Sequence, residues 1–323
     1  MLMKKVTIVG AGAYALALSR VLDKNGVEVV LFTKIEAEKE LLERERGNEE
    51  ILPSVKIGDT TRVLMSADEA FDNTGVVVVA LPSSVLRPIV SDLAEFVTDK
   101  VVCLTTKGIE ANSGKLMHEV MSEMIDISRL CALSGPSFAL EIANFLPTVV
   151  TAAGGAEETE VIRSCFENDK FKVEQTTDLA GVLACGAFKN VFAIGAGILA
   201  AKGAGSNALS SLITRGFCEM GVLCEALGGQ RETMGLACGI GDLVTTCISE
   251  LSRNRQFGIL VGEGGGSSAH EQIHATTIEG YASLSGAMKV VRDSQLDLPI
   301  IKALDNIVND SQPPELLLEA ICK

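Results

Sequence analysis

The chain has 323 residues, of which 47% are hydrophobic, and its formal net charge at pH 7 is −14. This length exceeds what one ordinary hydrophobic core needs, so two domains are expected. The negative charge argues against nucleic acid or an anionic membrane as a partner, because both carry many negative charges. Nine cysteines are spread singly without a C-x-x-C pair, as expected of a reduced, cytoplasmic protein without a metal site.

The first predicted element is a β-branched strand at residues 4–10, which runs directly into the sequence GAGAYA. This is the G-x-G-x-x-G/A fingerprint of dinucleotide-binding folds. Gly10 permits the tight turn, Gly12 lets the backbone approach a pyrophosphate, and Ala15 lets the next helix, residues 13–24, pack close to the strand. The same stretch superficially resembles a signal peptide, but the fingerprint is the better-specified motif.

The end of the second predicted strand, residues 28–32, bears on the choice of cofactor. An NAD-selective protein usually has Asp or Glu there to bind the ribose hydroxyls, whereas this chain continues with Thr33 and Lys34. No carboxylate in this local sequence would repel a 2′-phosphate. Lys34 is therefore either a ligand of the 2′-phosphate of NADP or a solvated loop lysine, and the cofactor is NADP or NAD. The acidic stretch 35–50 is expected to form a charged surface helix and loop.

Strands continue to alternate with helices as far as Asp178. Ser83 or Ser84 is expected to cap the helix that follows the next strand. The further predicted strands are residues 76–81, 100–105, 130–133, 148–152 and 171–175. Apolar strands alternating with helices are typical of a parallel sheet covered by helices on both faces.

Two positions after these strands are candidates for ligand binding. Lys107 follows the strand at 100–105, and open α/β sheets bind their ligands at the carboxyl edge. Gly135 and Pro136 force a turn after the strand at 130–133, where Ser137 is placed to bind an anion or cap a helix.

An apolar stretch from Leu179 to Ala201 begins the second half, and Lys189 and Asn190 lie in its middle. It is long enough to cross a bilayer, but a lysine at mid-membrane costs about 2.5–3.5 kcal/mol, so a helix buried in a globular protein fits better. Burial would lower the pKa of Lys189 toward a value useful for proton transfer. The alternative is a lysine whose tip reaches water.

The remaining elements are predicted to be helical. In the amphipathic stretch 207–227, Arg215 and Glu219 are expected to form a surface pair at i,i+4 spacing. In GIGDLVTTC, Asp242 and Thr246 lie four apart on one helix face.

The sequence LSRNRQFG predicts an anion site at the start of a helix. Ser252 is a suitable N-cap, and the helix would present backbone N–H groups, Arg253 and Asn254 at its end. Residues 262–268 are glycine-rich but follow no strand, so they are expected to form a flexible loop and not a phosphate cradle.

Taken together, the elements predict an α/β protein. A Rossmann-type, doubly wound, mostly parallel sheet is expected over residues 1–178, which would bind NAD(P). An all-α domain is expected over residues 179–323, which would bind the substrate and carry the catalytic groups.

With these motifs in place, the chain resembles the NAD(P)-dependent glycerol-3-phosphate dehydrogenase family of bacterial type. The motifs that occur in the family's order are GAGAYA, TTKGIE, SGPSFALE, LPT, GAFKNVFAIGAGI, GSNALSSLITRG, GIGDLVTTC, SRNRQFG, IEGY and LPI. The resemblance implies reversible hydride transfer between NAD(P)H and dihydroxyacetone phosphate. The product would be sn-glycerol 3-phosphate for phospholipid synthesis, and the enzyme would be a cytoplasmic homodimer.

The resemblance also implies roles for individual residues. The catalytic positions would be Lys189, Lys107 and Asp242. The substrate-binding positions would be Lys107, Gly135, Ser137, Lys189, Asn190, Asp242, Thr246, Ser252, Arg253 and Asn254. The cofactor-binding positions would be Gly10, Gly12, Ala13, Tyr14, Ala15, Lys34, Lys107, Ala139, Arg253 and Glu279. The chain departs from the family at Ala13 and Ala15, where Ser and Gly are commoner, and at Leu209, where Arg is usual.

Two other functions stay open at this point. One is a related β-hydroxyacid dehydrogenase or ketopantoate-reductase-like enzyme, which would not need the phosphate-suited SRNR sequence. The other is a catalytically silent NAD(P)-binding sensor, which would not need to retain Lys189, Asp242 and Lys107.

Overall fold

The computed structural model describes residues 5–125, 129–265 and 278–323. Lys4 of the first predicted strand and residues 266–268 of the predicted loop lie outside this part. The described residues form two compact units. The sheet unit draws on residues 1–81, 85–106 and 118–179, and the helical unit on residues 82–84, 107–117 and 180–323.

The sheet unit is organised around one eight-stranded sheet. Its strands are β1 (Lys5–Val9), β2 (Glu28–Phe32), β3 (Arg62–Leu64), β4 (Val76–Val79), β5 (Val101–Leu104), β6 (Leu130–Ser134), β7 (Thr148–Gly154) and β8 (Phe171–Thr176). They lie in the order β3-β2-β1-β4-β5-β6-β7-β8, and only the β6–β7 pair is antiparallel. The predicted doubly wound, mostly parallel sheet is confirmed. Strand order reverses between β1 and β4, where such sheets bind nucleotides.

The central strands are buried on both faces. Every residue of β1 and β4 is buried, as expected of parallel strands covered by helices on each side. Strand β3 was not predicted, because only Val63 of its three residues is buried and no apolar run marks it. The helices of this half of the chain are α1 (Ala13–Lys24), α2 (Glu36–Glu45), α3 (Ala67–Phe71), α4 (Ser83–Val97), α5 (Met117–Ser122), α6 (Ala139–Ala143) and α7 (Ala156–Phe166).

The helical unit contains no strand of the sheet in its described residues after 178, as predicted. Its helices are α8 (Leu179–Ala201), α9 (Gly205–Ala226), α10 (Asp242–Ile248), α11 (Arg253–Leu260), α12 (Glu279–Asp293), α13 (Pro299–Val308) and α14 (Glu315–Cys322). A 3-10 turn at Arg231–Gly235 and π-helical turns at Ala237–Gly241 and Val261–Gly265 connect some of them.

Helix α8 is buried inside the protein along its apolar length. The prediction that this stretch is a core helix, and not a membrane span, is therefore confirmed. Its glycines let neighbouring helices approach at backbone distance. A Cβ added at Gly197 would lie 2.7 Å from the backbone nitrogen of Ile259 on α11. One added at Gly258 of α11 would lie 2.8 Å from the carbonyl carbon of Ile194. The low side-chain volume of α8 therefore serves close helix packing.

The predicted surface pair on α9 is wrong. Glu219 is only 7% exposed, and its two carboxylate oxygens accept hydrogen bonds from the backbone N–H groups of Ile300 (2.8 Å) and Ile301 (3.0 Å). These groups lie in the first turn of α13, where N–H groups have no partner within the helix. Glu219 thus caps α13 from a distant helix, while Arg215 is exposed.

Candidate active site

A cluster of two lysines and one aspartate lies in the helical unit. Lys189 projects from the middle of α8 and forms an ion pair with Asp242 Oδ1. Lys107 Nζ lies 2.9 Å from Asp242 Oδ2. The Lys189 and Asp242 side chains are 7% and 2% exposed, and that of Lys107 is 18% exposed. One carboxylate therefore holds two ammonium groups in a nearly dry environment.

The environment of Lys189 lowers the pKa of its ammonium group from 10.5 to about 7. Burial is the largest cause, because it disfavours the charged form, and the neighbouring ammonium of Lys107 acts in the same direction. The carboxylate of Asp242 opposes both effects without cancelling them. Lys189 can therefore give up or accept a proton near neutral pH.

Two features fix the position of Asp242. It is the first residue of α10, which continues directly from the π-helical turn Ala237–Gly241. Thr246 lies one turn later on the same face, as predicted, and its Oγ1 donates to the backbone oxygen of Asp242 at 2.6 Å. The same hydroxyl lies 3.3 Å from Asp242 Oδ1.

A chain of amide hydrogen bonds runs beside this cluster. Asn190 Nδ2 donates to the backbone oxygen of Gly186 (3.2 Å), and Asn254 Nδ2 donates to Asn190 Oδ1 (2.9 Å). The backbone N–H of Gly280 donates to Asn254 Oδ1 at 2.9 Å. Gly280 must lack a side chain, because a Cβ there would lie 2.8 Å from the carbonyl carbon of Asn190. Helices α8, α11 and α12 are thus tied together next to Lys189.

The start of α11 has the composition predicted for an anion site. Ser252 is the N-cap, and its hydroxyl accepts a hydrogen bond from the backbone N–H of Arg255 at 3.3 Å. Arg253 is exposed, and the first turn of α11 contains no acidic residue. Within the described residues, the Arg253 guanidinium forms no ion pair within 4 Å, although its positive charge acts on the Glu279 carboxyl and opposes the rise in the pKa of that group.

Glu279, at the start of α12, binds Ser83 with both carboxylate oxygens. The backbone N–H of Ser83 donates to Oε1 at 3.0 Å, and its hydroxyl donates to Oε2 at 2.5 Å. Ser83 is the first residue of α4 and is itself held by Glu279, and capping of this helix by Ser83 or Ser84 stays a prediction. Burial raises the pKa of Glu279, although the bonds to Ser83 oppose the shift. Gly108 packs against this pair, because a Cβ added at Gly108 would lie 2.9 Å from Glu279 Oε2.

The fingerprint lies in the sheet unit, at the turn between β1 and α1. Gly10 has φ of +116°, and a Cβ there would lie 2.7 Å from the backbone oxygen of Ala80. A Cβ at Gly12 would meet nothing within 4 Å, and Ala15 is fully buried. Helix α1 has no acidic residue in its first turn and no side-chain cap. The turn therefore fits a pyrophosphate, which would find backbone N–H groups and open space at Gly12.

Four other candidates also lie in the sheet unit, near α1. Tyr14 Oη lies 3.2 Å from Ser137 Oγ, and Ser137 donates to the backbone oxygen of Gly135 at 2.8 Å. Gly135 has φ of +151°, and a Cβ there would lie 2.9 Å from Val150 Cα. Ala139 is the first residue of α6, which packs against the same core as Ala13.

The surroundings of Lys34 contain more negative charge than residues 32–34 indicate. Its ammonium forms an ion pair with Asp92 on α4, and the hydroxyl of Thr33 donates to Glu38 Oε2 at 2.5 Å. The expectation that no carboxylate lies near the end of β2 is therefore wrong, because α2 and α4 each supply one.

Within the helical unit, the structure brings together most of the candidate residues predicted there. Lys107, Lys189, Asp242 and Thr246 form one group, and Asn190 and Asn254 form the adjacent one. Sequence reasoning missed Ser83 and Gly108 as partners of Glu279, and Asp92 as the partner of Lys34. Gly108 lies within the motif TTKGIE, which is a signal that was available; Asp92 lies in no motif.

Two family models match the chain. The model described as NAD-dependent glycerol-3-phosphate dehydrogenase N-terminus matches residues 5–160, and the corresponding C-terminus model matches residues 178–319. Among curated relatives, the glycerol-3-phosphate dehydrogenase [NAD(P)+] of Sodalis glossinidius is 37% identical over 93% of this chain and 90% of its own. That of Agathobacter rectalis is 33% identical over 96% and 93%.

A solved structure shows the same similarity in three dimensions. The crystal structure of glycerol-3-phosphate dehydrogenase from Coxiella burnetii superimposes with a TM-score of 0.92 at 29% identity. The match covers 99% of this chain and 98% of that one.

Proposed function

This chain belongs to the NAD-dependent glycerol-3-phosphate dehydrogenase family, and we propose that it interconverts dihydroxyacetone phosphate and sn-glycerol 3-phosphate with NAD(P) as cofactor. The observation that carries the proposal is the buried cluster of Lys189, Asp242 and Lys107. Both halves of the chain match this one family, so neither a hydroxyacid dehydrogenase nor a silent sensor is retained. The sn-glycerol 3-phosphate would serve phospholipid synthesis.

The chemistry requires a hydride and a proton. When bound at the fingerprint turn, NAD(P)H would supply the hydride to the ketone carbon and become NAD(P)⁺, and the carbonyl oxygen would then need a proton. We assign proton donation to that oxygen to the Lys189 ammonium, which becomes a neutral amine. In alcohol oxidation the neutral amine of Lys189 accepts the hydroxyl proton. A pKa of about 7 suits both directions.

The other two members of the cluster act through charge. Lys107 is proposed to polarise the carbonyl, since its ammonium stabilises the negative charge that develops on oxygen. Asp242 holds both ammonium groups in position and is itself held by Thr246. Asn190 would contact the substrate next to Lys189.

The phosphate group of the substrate requires a separate site. Arg253 and the backbone N–H groups at the start of α11 provide a cation and a helix N-terminus, with Ser252 and Asn254 fixing the turn. The Asn254 amide already binds Asn190 and Gly280, so its role toward the phosphate would fall to its backbone N–H. Gly135 and Ser137 of the sheet unit are proposed as further substrate contacts.

The proposed cofactor residues are divided between the units. The fingerprint turn with Gly10, Gly12 and Ala15 would hold the pyrophosphate, as its open space at Gly12 supports. The remaining proposed contacts are Ala13, Tyr14, Lys34, Lys107, Ala139, Arg253 and Glu279.

We also propose the domain roles predicted from the sequence, with NAD(P) bound by residues 1–178 and substrate by residues 179–323. Some proposed residues depart from this division. Lys107, Gly135 and Ser137 are proposed substrate contacts from the first range, although Lys107 belongs to the compact helical unit. Arg253 and Glu279 are proposed cofactor contacts from the second range. A homodimer and a cytoplasmic location are part of the proposal and are supported by the family resemblance. Sedimentation equilibrium of the purified protein tests the dimer.

The proposal is tested by following absorbance at the reduced nicotinamide band. Purified protein is mixed with NADPH, or in parallel NADH, and dihydroxyacetone phosphate. Unphosphorylated dihydroxyacetone is the control for the phosphate site. Oxidation with only the phosphorylated ketone is expected, since the ketone alone offers nothing for Arg253 to bind. Equal rates with both ketones, or no oxidation with either cofactor, would contradict the proposed substrate.

A further inference from the structure

The end of β2 carries more negative charge than its local sequence indicates. In folds of this kind the ribose 2′ substituent of a dinucleotide lies near the end of this strand. Lys34 is the cation there, and Asp92 on α4 forms an ion pair with it. The side chains of Lys34 and Asp92 are 47% and 58% exposed, so both are accessible from solvent.

A second carboxylate reaches the same strand end from α2. Glu38 lies in the first turn of that helix together with Glu36. Its Oε2 accepts the Thr33 hydroxyl at 2.5 Å, and the same hydroxyl oxygen accepts the backbone N–H of Ile35 at 3.1 Å. Glu38 is thus fixed beside the residue that precedes Lys34.

These contacts leave the charge at the strand end negative. The single ammonium of Lys34 faces the carboxylate of Asp92, and Glu38 adds another carboxylate. A 2′-phosphate, which carries two negative charges, would have to draw Lys34 from Asp92 and then lie near Asp92 itself. A 2′-hydroxyl requires neither step, because a carboxylate is a suitable acceptor for it.

We propose that Asp92 determines the cofactor specificity of this enzyme. By engaging Lys34, it weakens binding of the 2′-phosphorylated dinucleotide and makes NAD(H) the cofactor bound at least as tightly as NADP(H). The inference rests on the proposed function, because it presumes dinucleotide binding at β2. It goes beyond that function by naming one residue outside every motif as the discriminating group.

The test is isothermal titration calorimetry of NAD⁺ and NADP⁺ against the full chain and against Asp92→Asn. The substitution retains the size of the side chain but removes the charge that engages Lys34. The Kd of NADP⁺ is therefore expected to fall about fivefold, which corresponds to the upper end of the range for the contribution of an exposed ion pair. The Kd of NAD⁺ is expected to change less than twofold. The gain for NADP⁺ is expected to shrink in 1 M NaCl, since the charges are exposed.

Asp99→Asn is the matched control. Asp99 is also an exposed aspartate paired with a lysine, Lys100, and its replacement changes the net charge equally. It is expected to leave both Kd values unchanged. Lys34→Met in the Asp92→Asn background is expected to abolish the gain for NADP⁺.

Three outcomes would overturn the inference while leaving the proposed function intact. These are an unchanged Kd for NADP⁺ in Asp92→Asn, an equal shift for both dinucleotides, and a wild-type protein that binds NADP⁺ at least tenfold more tightly than NAD⁺. If the wild-type protein bound neither dinucleotide, the proposed function itself would fail.

Discussion

The sheet unit and the helical unit prepare their candidate ligand sites with different parts of the polypeptide. At the fingerprint turn, the groups offered to a ligand are backbone N–H groups, and the side chains are small so that the backbone is accessible. Beside α8, the groups offered are charged side chains surrounded by apolar helix. A backbone site is built from neighbouring residues, whereas Lys107 and Asp242 are 135 positions apart.

The first consequence of this difference is that the helical site should depend on single charges. We expect Lys189→Met to lower kcat/KM about a thousandfold, within the range for loss of a general acid. Methionine retains an unbranched apolar stem, and Asp242 retains Lys107 as its partner. Steady-state rates with dihydroxyacetone phosphate measure the loss, and circular dichroism with dinucleotide titration checks that the fold and cofactor binding persist.

Lys202→Met provides the matched control for that substitution. Lys202 directly follows α8, is partly exposed, and lies 3.9 Å from Glu315. Its replacement is expected to change kcat/KM less than twofold. Equal losses for Lys189→Met and Lys202→Met would show that the buried lysine has no special role.

The depressed pKa of Lys189 predicts opposite pH dependence for the two directions of reaction. Ketone reduction needs the ammonium form, so kcat/KM should fall about tenfold per pH unit above pH 7, reaching about a hundredfold at pH 9. Alcohol oxidation needs the neutral amine, so its kcat/KM should rise as pH increases through 7. Initial rates from pH 5.5 to 9.5 at saturating cofactor measure both limbs. A reduction rate that stays constant up to pH 9 would remove Lys189 as the proton donor.

Glu219 offers a buried charge in the helical unit whose role is structural. Glu219→Ala leaves two N–H groups of α13 without their acceptor, so the free energy of unfolding should fall by about 2–3 kcal/mol. Glu219→Gln keeps one acceptor oxygen and should cost about half as much. Arg215→Ala should change stability by less than about 0.5 kcal/mol, because the residue is exposed. Urea unfolding curves measure the free energy of unfolding of all three variants. If Arg215→Ala lowered it as much as Glu219→Ala does, an ion pair between Arg215 and Glu219 would have to be reconsidered.

The same contrast explains what the sequence could predict. The mostly parallel sheet and the cap at Ser252 were predicted from local sequence patterns, and the structure confirms both. At the fingerprint the structure confirms the tight turn at Gly10 and the open space at Gly12, while dinucleotide binding there stays a prediction. Lys189 was identified because a single charge in an apolar helix is conspicuous. Its pairing with Asp242 could not follow from local spacing, and only the family resemblance indicated that both belong to one site.

The predictions that failed involve charged side chains with distant partners. Glu219 was assigned to the nearest opposite charge, but its actual partners lie 81 and 82 residues away. The end of β2 was expected to lack a carboxylate, but Asp92, which lies 58 positions after Lys34 in the sequence, contacts the Lys34 ammonium there. Helical and strand periodicity define which face a residue occupies, and they contain no information on which element covers that face.

The smallest expected effect, and the one that separates the two kinds of site most clearly, concerns Gly12. A Cβ at Gly12 meets nothing within 4 Å and requires no unusual φ, so Gly12→Ala should leave the free energy of unfolding within about 0.5 kcal/mol. It should nevertheless raise the Kd for both NAD⁺ and NADP⁺ about tenfold, because the methyl group would occupy the space through which a pyrophosphate approaches the backbone. Gly235→Ala is the matched control, since a Cβ there also meets nothing and its φ is ordinary. Unchanged dinucleotide binding in Gly12→Ala would show that the pyrophosphate does not approach the backbone at Gly12.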